Sequence, residues 1–401
     1  MHNWKLVAMS AALSVAAVAC GGDNAADADA SAATDAVAVV TEPAAAASDS
    51  PGTTIATTEA ATTTAAPTTT AAPTTTAAPL PIWEEVVAPS DCMCSDGSPY
   101  SYFVHTADPT KVMFFMQGGG ACFNGDSCNP ATGTFTPAIP DVAAGDAPTG
   151  GNGLLDLDNP ANPVAGWSIV YLPYCTGDVH LGTKTTDYGD GVVIEHKGFL
   201  NATAALDGLR QRFPDAEQLF FTGASAGSIP SPLMAGLAAD SYPDAKITVF
   251  GDGSGAYPDA PVVNATIAGA WGNLAAAVDW PEYAGLEAVS APLLFINSAA
   301  HAPQITFARH DYSFDETQVF FTTLVGFPAD RLDLLIAQNE TQIEASGVNL
   351  ASFISPGAEH TIVGKPDFYT HEVEGVSLLE WVQDLIDGEP VQDVKCQVCT
   401  A

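Results

Sequence analysis

The chain contains few basic residues: 11 are Lys or Arg, against 47 Asp and Glu, which gives its 401 residues a formal net charge of −36. A surface with so little positive charge repels the phosphates of nucleic acids and the headgroups of anionic lipids. The sequence therefore excludes nucleic acid as a partner, and it also excludes membrane binding through surface charge.

The start of the sequence lacks a hydrophobic run long enough for a transmembrane helix, which needs about 20 apolar residues. Its apolar run 6–18 follows a single lysine and is typical of the core of a secretory signal. The run ends in Ala-Val-Ala-Cys at 17–20, which resembles a bacterial lipobox. The resemblance implies that residues 1–19 are a signal peptide and that Cys20 is lipidated, so that a lipid alone anchors an extracytoplasmic protein to the cell membrane. The alternative is an ordinary cleaved signal that releases a secreted protein.

Large apolar side chains are scarce in residues 20–80, which consist mostly of Ala, Thr, Pro, Ser and Asp. The repeat T-T-T-A-A-P begins at Thr62, Thr68 and Thr74. Such a segment cannot bury enough apolar surface to offset the entropy lost on ordering. We expect a disordered linker that separates the membrane from a folded domain formed by residues 81–401.

Eight cysteines are present, and seven remain for the exported part if Cys20 carries a lipid. Cys92 with Cys94, and Cys396 with Cys399, form two closely spaced pairs near the ends of the domain. These pairs suggest either a zinc site of four thiolates or disulfides that close the two ends on each other. An exported chain favours disulfides, and one residue between the first two cysteines is poor spacing for zinc. We expect no metal.

Short apolar segments alternate with segments of helical periodicity along the domain. The predicted strands are 111–116, 167–172, 219–222, 246–250, 293–297, 305–309 and 350–354, and the predicted helices include 198–212, 329–346 and 376–386. This alternation predicts an α/β fold in which helices flank a mostly parallel sheet. Residues 129–166 are rich in Pro, Gly, Asn and Asp and should form an insertion over the core. In such sheets, functional sites lie at the carboxyl ends of the strands.

Residues 223–227 read G-A-S-A-G and lie between a predicted strand and a predicted helix. The pattern G-x-S-x-G at such a turn presents the serine hydroxyl clear of the backbone, although a glycine-rich surface turn is the alternative. Three glycines at 118–120 follow another buried strand, and their backbone amides suit the oxyanion of an acyl-transfer reaction. Ser225 is therefore the candidate nucleophile.

A serine nucleophile needs a histidine as general base and a carboxylate that orients this histidine. His360 follows a late strand and precedes the terminal helix, whereas His371, the alternative, lies in predicted surface chain. The pattern favours Asp252 and Asp315 about equally as the carboxylate, since each follows a predicted strand. The chain order of serine, acid and histidine is that of the α/β-hydrolases.

Five segments, taken together, resemble the pectin acetylesterase and Notum family of serine esterases. They are G-G-G-A-C-F-N at 118–124, P-Y-C-T-G-D-V at 173–179, F-T-G-A-S-A-G at 221–227, Y-S-F-D-E-T-Q at 312–318 and E-H-T at 359–361. The resemblance implies an α/β-hydrolase fold and a mechanism without metal or organic cofactor. It implies that Ser225 is the nucleophile, Asp315 the acid and His360 the base, that Gly119, Gly120 and Ala226 donate to the oxyanion, and that Cys122 and Cys128 form a loop disulfide.

The chain departs from the family at Ala121, where plant members have an aromatic residue, and at His180, where Notum has one. Both positions lie near the expected pocket, so acyl-chain and sugar preferences do not follow from the resemblance. Our first functional hypothesis is deacetylation of an acetylated polysaccharide. A charge of −36 repels polyanionic pectin unless salt screens it, so a neutral acetylated glycan or a heavily esterified pectin is the better substrate.

Two other functions remain open at this point. The first is a broader esterase that acts on small esters, lipids, acylated proteins or polyester. The second is a surface lipoprotein that binds glycan without turnover, although the presence of all three catalytic residue types argues against it. In each case we expect a monomer.

Overall fold

A nine-stranded sheet forms the centre of the computed structural model, which describes residues 82–131, 133–327 and 330–399. The expected signal peptide 1–19, the linker 20–80 and the lipidation site Cys20 lie outside these residues. With the strands numbered along the chain, their order in the sheet is β1 (Glu84–Val87), β2 (Ser101–His105), β4 (Trp167–Leu172), β3 (Asp108–Met116), β7 (Gln218–Ala224), β8 (Lys246–Asp252), β9 (Thr306–Tyr312), β10 (Leu350–Ser355) and β13 (Val394–Lys395). Pairing is antiparallel between β1 and β2 and between β2 and β4, and it is parallel everywhere else in this sheet. The predicted α/β class, with a mostly parallel sheet, is confirmed.

The strands are β1 Glu84–Val87, β2 Ser101–His105, β3 Asp108–Met116, β4 Trp167–Leu172, β5 Lys184–Asp187, β6 Val193–His196, β7 Gln218–Ala224, β8 Lys246–Asp252, β9 Thr306–Tyr312, β10 Leu350–Ser355, β11 Glu372–Val373, β12 Val376–Ser377 and β13 Val394–Lys395. The helices are α1 Gly125–Cys128, α2 Gly198–Arg212, α3 Ser231–Ala239, α4 Pro261–Trp271, α5 Ala291–His301, α6 Glu316–Leu324, α7 Leu332–Ala345 and α8 Leu378–Asp387. Two small hairpin sheets, β5 with β6 and β11 with β12, lie outside the main sheet.

The sheet is covered by apolar side chains on both faces. Along β3, Phe114 and Met116 belong to one apolar cluster, while Met113 and Phe115 belong to another. Helices α2, α3 and α5 supply the first cluster, and α8 supplies the second. Since successive strand residues point to opposite faces, a strand covered on both sides must be apolar throughout, which is why its sequence shows no alternation.

The prediction of a strand at residues 293–297 is wrong, because these residues lie within helix α5, which packs against α3. A short apolar run does not reveal its own period, so a buried helix and a buried strand look alike in sequence. Pro292 in the first turn is the helix signal that the prediction missed. The terminal helix begins at Leu378, since Val376–Ser377 pairs with Glu372–Val373.

The expectation that disulfides join the two ends of the domain is also wrong. Cys94 pairs with Cys175, and Cys396 pairs with its near neighbour Cys399. Cys92 is a free, buried thiol. The physical reason is the strand order: β1 forms one edge of the sheet and β13 the opposite edge, so the whole sheet separates the terminal cysteine pairs.

The insertion 129–166 contains a short 3₁₀ helix, Gly153–Leu155, whose two leucines join the apolar cluster around α8. The backbone N–H of Leu154 donates to the carbonyl of Val363, 2.8 Å away, so the insertion contacts the loop that follows β10. Across residues 82–399, as far as the structure describes them, no helix has the length and apolar character needed to cross a bilayer.

Candidate active site

Ser225 directly follows β7 and has a positive φ of 55°, in the left-handed region that non-glycine residues seldom occupy. A short 3₁₀ turn, Ser225–Gly227, leads from it towards α3. A Cβ at Gly223 would collide with the carbonyl of Gly227, and a Cβ at Gly227 would collide with that of Met116. Because neither glycine has a Cβ, the backbone segments can approach closely enough to form this strained turn, with the serine at its apex.

The glycine loop after β3 lies against this turn. A Cβ at Gly118 would lie 2.9 Å from the Cβ of Ser225, so the residue must be glycine for the two segments to approach each other. Gly120 has a φ of 83° and lines the same cavity as Ser225 and Ala226. Gly119 packs on the ring of Tyr174, to which a Cβ would come within 2.7 Å. The three residues expected to donate to an oxyanion thus lie beside the serine.

The glycine loop is supported by three residues to which the sequence assigns no role. The side-chain oxygen of Gln117 accepts a hydrogen bond from the backbone N–H of Tyr174, 3.0 Å away. Nε2 of His180 donates to the carbonyl of Gln117 at 2.9 Å, and the His180 ring packs on Tyr174. Burial lowers the pKa of His180 to about 4, so the ring is neutral at pH 7. The sequence signal that could have located Tyr174 and His180 is the segment P-Y-C-T-G-D-V-H, because it directly follows β4, the strand next to β3.

Asp315 caps the N-terminus of α6 and is completely buried. Its Oδ1 accepts from the backbone N–H groups of Thr317 and Gln318, at 2.9 and 3.0 Å. Its Oδ2 accepts from the Gln318 side-chain amide at 3.0 Å and from Nδ1 of His360 at 2.7 Å. Four donors hold the carboxylate in one orientation, and Asp315 in turn fixes the ring and the tautomer of His360.

His360 lies in the loop after β10, with its side chain 22% exposed. Because Nδ1 donates to Asp315, Nε2 of a neutral ring carries the lone pair, and this atom has no partner among the residues that the structure describes. The loop lies over Gly253, where a Cβ would come within 3.4 Å of the His360 ring. Gly253 directly follows Asp252, and Ser225 directly follows Ala224. Asp252 and Ala224 are paired residues of β8 and β7. The histidine is thus brought to the strand end next to the serine, without a direct hydrogen bond to it.

Asp252, the alternative acid, does not contact His360. Its Oδ1 is bound to Nδ1 of His310 at 2.7 Å, and both side chains are completely buried. His371, the alternative base, is bound through Nε2 to the hydroxyl of Ser355 at 2.7 Å. The structure therefore joins Asp315 with His360 and places the two alternatives together in a separate cluster.

An apolar cavity of about 100 Å³ opens beside Ser225. Its wall comes from the glycine loop, the turn after β4 and helices α4, α5 and α6, and it includes Phe123, Val179, Ile267, Trp271, Leu294 and Phe321. No charged side chain is among its described lining residues. The indole N–H of Trp271 donates to the carbonyl of Cys122 at 2.6 Å, and the disulfide between Cys122 and Cys128 closes the loop at this end.

Among the residues that the structure describes, two groups of side chains have the spacing of metal ligands. The first is Cys122, Cys128 and His196, but its two sulfur atoms are joined in a disulfide. The second is Glu340, Glu344 and Asp393, where the ammonium of Lys395 lies 2.7 Å from Glu340 and 3.2 Å from Asp393. In the first group the sulfur atoms are not thiolates, and in the second the ammonium of Lys395 already pairs with two of the three carboxylates.

Comparison with known proteins identifies relatives over part of the chain. The sequence model of the family described as Pectinacetylesterase matches residues 75–274. The palmitoleoyl-protein carboxylesterase notum1a of Danio rerio is 28% identical over 138 residues, which are 33% of this chain and 27% of that protein. The palmitoleoyl-protein carboxylesterases NOTUM of Schmidtea mediterranea and Homo sapiens are 26% and 30% identical over 141 and 98 residues, which are 34% and 23% of this chain and 26% and 19% of those proteins.

The chain thus spans about a quarter of the length of the curated relatives it matches. Disulfides persist in oxidising compartments, so the three in this domain are typical of a protein outside the cytoplasm. The resemblance seen in the sequence is confirmed, and the chain belongs to the pectinacetylesterase family.

Proposed function

We propose that the protein is a serine carboxylic-ester hydrolase in which Ser225, His360 and Asp315 form the catalytic triad. The observation that carries this proposal is the Asp315–His360 hydrogen bond of 2.7 Å, which leaves Nε2 of His360 free beside the strained serine turn. Residues 315 and 360 lie beyond the segment 75–274 that the family model matches, so their roles rest on this geometry.

The reaction proceeds in two halves. Nε2 of His360 takes the proton of the Ser225 hydroxyl while Oγ attacks the carbonyl carbon of the ester, and the oxyanion accepts hydrogen bonds from backbone amides of Gly119, Gly120 and Ala226. The alcohol then leaves with the proton from His360, and an acyl-enzyme remains. In the second half, His360 deprotonates a water that attacks the acyl carbon, and its proton returns to Ser225 as the carboxylic acid leaves.

The absence of a hydrogen bond between His360 and Ser225 is compatible with this mechanism, since such bonds often tighten only when substrate is present. Neither half-reaction requires a metal or an organic cofactor. We propose an ester or an acylated glycan as the only partner of the site, on a monomer that binds no nucleic acid and reaches the membrane only through lipid on Cys20.

The cavity supports an acyl group larger than acetyl. One water occupies about 10–15 Å³ by this measure, so a cavity of about 100 Å³ has room for several carbon atoms. Its apolar wall gains free energy from each methylene that it removes from water, about 0.8 kcal/mol for full burial. The broader esterase therefore fits the cavity better than an enzyme restricted to acetyl esters.

Deacetylation of a polysaccharide is the second candidate, and the family description favours it. An acyl-length series of p-nitrophenyl esters from C2 to C12, measured beside acetate release from acetylated polysaccharides, distinguishes the two. We expect kcat/KM to rise beyond C2 and to fall when the chain exceeds the cavity. A maximum at C2 together with acetate release would favour the second candidate, while no turnover of any ester and no labelling of Ser225 by a fluorophosphonate would favour glycan binding without catalysis.

The cavity itself can be tested with two valines of α4. Val263 is 8% exposed and lines the cavity, whereas its neighbour Val262 is 68% exposed on the same helix. Val263→Phe should reduce kcat/KM for C8 esters by about tenfold and leave C2 esters within about twofold, because one bulky side chain removes the room for the chain and not for the ester carbonyl. Val262→Phe is the matched control and should change neither rate. Equal loss for C2 and C8 would contradict the assignment of the cavity.

A further inference from the structure

Asp252 ends β8 in the middle of the sheet and is completely buried. Its two oxygens have different partners. Oδ1 is bound to Nδ1 of His310 at 2.7 Å, and Oδ2 accepts from the backbone N–H groups of Ile362 at 2.7 Å and Val363 at 2.9 Å. Those two amides come directly after His360 and Thr361, so a single carboxylate holds the segment that follows the proposed general base.

The loop that carries His360 is held at both ends. Before the histidine, the carbonyls of Gly357 and Ala358 accept from the backbone N–H groups of Phe314 and Glu316, at 3.0 and 3.2 Å. After it, the amides of residues 362 and 363 donate to Asp252. His360 lies between the two anchors, and the anchor before it belongs to the same turn as Asp315. The distance between acid and base is therefore set by both anchors together.

A chain of hydrogen bonds continues from Asp252 towards the surface. Nε2 of His310 lies 2.8 Å from the hydroxyl of Ser355, which lies 2.7 Å from Nε2 of His371. The Asp252 carboxylate accepts from Nδ1 of His310, and the Ser355 hydroxyl links Nε2 of His310 to Nε2 of His371. The His310 ring, held between Asp252 and Ser355, supports the observed orientation of the Asp252 carboxylate.

We infer that Asp252 is a positioning residue for the general base: it holds the loop that places His360 against Asp315 and Ser225, and His310 holds Asp252 in the orientation this requires. The inference rests on the proposed function, since it assigns a role within the same reaction. Neither residue reaches the substrate, because both are completely buried. Gly253, the next residue, lets the loop lie close, since a Cβ there would come within 2.8 Å of the His360 carbonyl.

The first test is a comparison of Asp252→Ala with Asp252→Asn on a p-nitrophenyl ester. Removal of the carboxylate frees two amides and displaces the loop, and a displacement of about 1 Å costs about a hundredfold in rate. We expect Asp252→Ala to lower kcat about a hundredfold with KM within about twofold, because the apolar cavity is untouched. Asp252→Asn should stay within about tenfold of wild type. Its amide oxygen can accept from the two backbone amides while its NH₂ donates to Nδ1 of His310, whose other nitrogen then donates to Ser355.

The second test separates positioning from a general structural role by a double-mutant cycle with His360→Ala. If Asp252 acts only through His360, Asp252→Ala should lower the residual rate of the His360→Ala enzyme by less than about twofold. A folded Asp252→Ala variant with kcat within threefold of wild type would overturn the inference, and so would an equal loss in both backgrounds.

If Asp252→Ala does not fold by circular dichroism, His310→Leu replaces it in the same cycle. This variant keeps the backbone anchor and removes the ring partner, so we expect about a tenfold loss of kcat with His360 present and no loss without it. A loss of the same size in both backgrounds would again overturn the inference. Failure of the proposed function itself looks different, since the wild type would then neither hydrolyse esters nor react with a fluorophosphonate at Ser225.

Discussion

In the described part of the chain, two completely buried aspartates each bind Nδ1 of a histidine, and only one of these two histidines keeps a free ring nitrogen. Asp315 with His360 and Asp252 with His310 are each joined through Nδ1 at 2.7 Å. The His360 side chain is 22% exposed, and its Nε2 has no partner in the described part of the chain. His310 is completely buried, and its Nε2 is bound to Ser355. The free nitrogen beside a reachable serine distinguishes a candidate base from a structural contact.

The comparison also shows how the sequence can mislead. Each aspartate follows a predicted strand, so the sequence pattern favours Asp252 and Asp315 about equally. The two sites differ in how deeply the serine of each one is enclosed. Ser355 belongs to a strand whose described residues are all buried, whereas Ser225 lies outside its strand on a strained turn.

The largest difference in kcat should be between variants of the two serines, one assigned to each histidine. Ser225→Ala should lower kcat by about 10⁶-fold, since it removes the nucleophile. Ser355→Ala removes a hydroxyl of the same kind beside the other histidine, and we expect kcat to fall by less than tenfold. Steady-state rates on a p-nitrophenyl ester, divided by the concentration of folded protein, measure both. Comparable losses in the two variants would remove the distinction between the pairs.

The next largest effect should come from the two aspartates. Asp315→Asn should lower kcat by about 10⁴-fold with little change in KM, because the amide cannot hold the tautomer of His360 that leaves Nε2 free. Asp252→Asn, by contrast, should remain within about tenfold of wild type. Measurement of kcat and KM for both variants at pH 7 tests the difference, and a larger loss for Asp252→Asn would reverse the assignment of the acid.

A third kind of histidine should affect stability and not rate. Burial lowers the pKa of His196 to about 4, while the unfolded chain titrates near 6.5. Because the folded pKa is depressed, this histidine contributes its full stability above pH 6.5. The contribution decreases as the pH falls towards 4, and the loss reaches about 2 kcal/mol at pH 5. His180 has the same sign, whereas the pKa of Asp178, which burial raises to about 6, has the opposite one.

The contribution of His196 can be isolated by comparing wild type with His196→Gln. Thermal unfolding at pH 7 and at pH 5 should show a smaller fall in Tm for the variant, because glutamine does not titrate in this range. The amide can still serve the partners of the imidazole, the Thr176 carbonyl and the Tyr188 hydroxyl. An identical pH dependence in the two proteins would mean that folding does not lower the pKa of His196.

The smallest effect should come from Cys92, the free cysteine of the described residues. Its side chain is 4% exposed, and burial raises the pKa of the thiol to about 11. The reactive thiolate is therefore scarce at pH 8. We expect no alkylation by iodoacetamide in native protein, as read by mass spectrometry, and an unchanged kcat for Cys92→Ala. Rapid alkylation would show that a buried group can be reactive in this protein, which contradicts the use of burial to separate His310 from His360.

The sequence was informative wherever the signal is local. The G-x-S-x-G turn and the triple glycine each combine a strand, a tight turn and small residues within about ten positions, so the serine and the glycine loop could be located in advance. Helix α2 was predicted with its observed bounds, 198–212, because an amphipathic period and Pro214 define its ends. The α/β class followed from the alternation of such segments.

Long-range pairing could not be obtained in this way. Nothing near Cys94 in sequence indicates that its partner is Cys175, 81 residues away, because only the sheet order brings them together. The choice between Asp252 and Asp315 depended on which loop His360 lies against. The run 293–297 was misassigned because burial on all sides removes the polar residues that reveal a period.

The bridge between Cys94 and Cys175 has a practical consequence for anyone who prepares this protein. Cys175 is the neighbour of Tyr174, whose backbone and ring hold the Gln117–Gly119 corner, so this cystine anchors the scaffold that supports the serine. Material made in a host with a reducing interior would carry a loosened scaffold around an intact Ser225. Refolding in a glutathione redox buffer should then restore turnover without any change in the polypeptide.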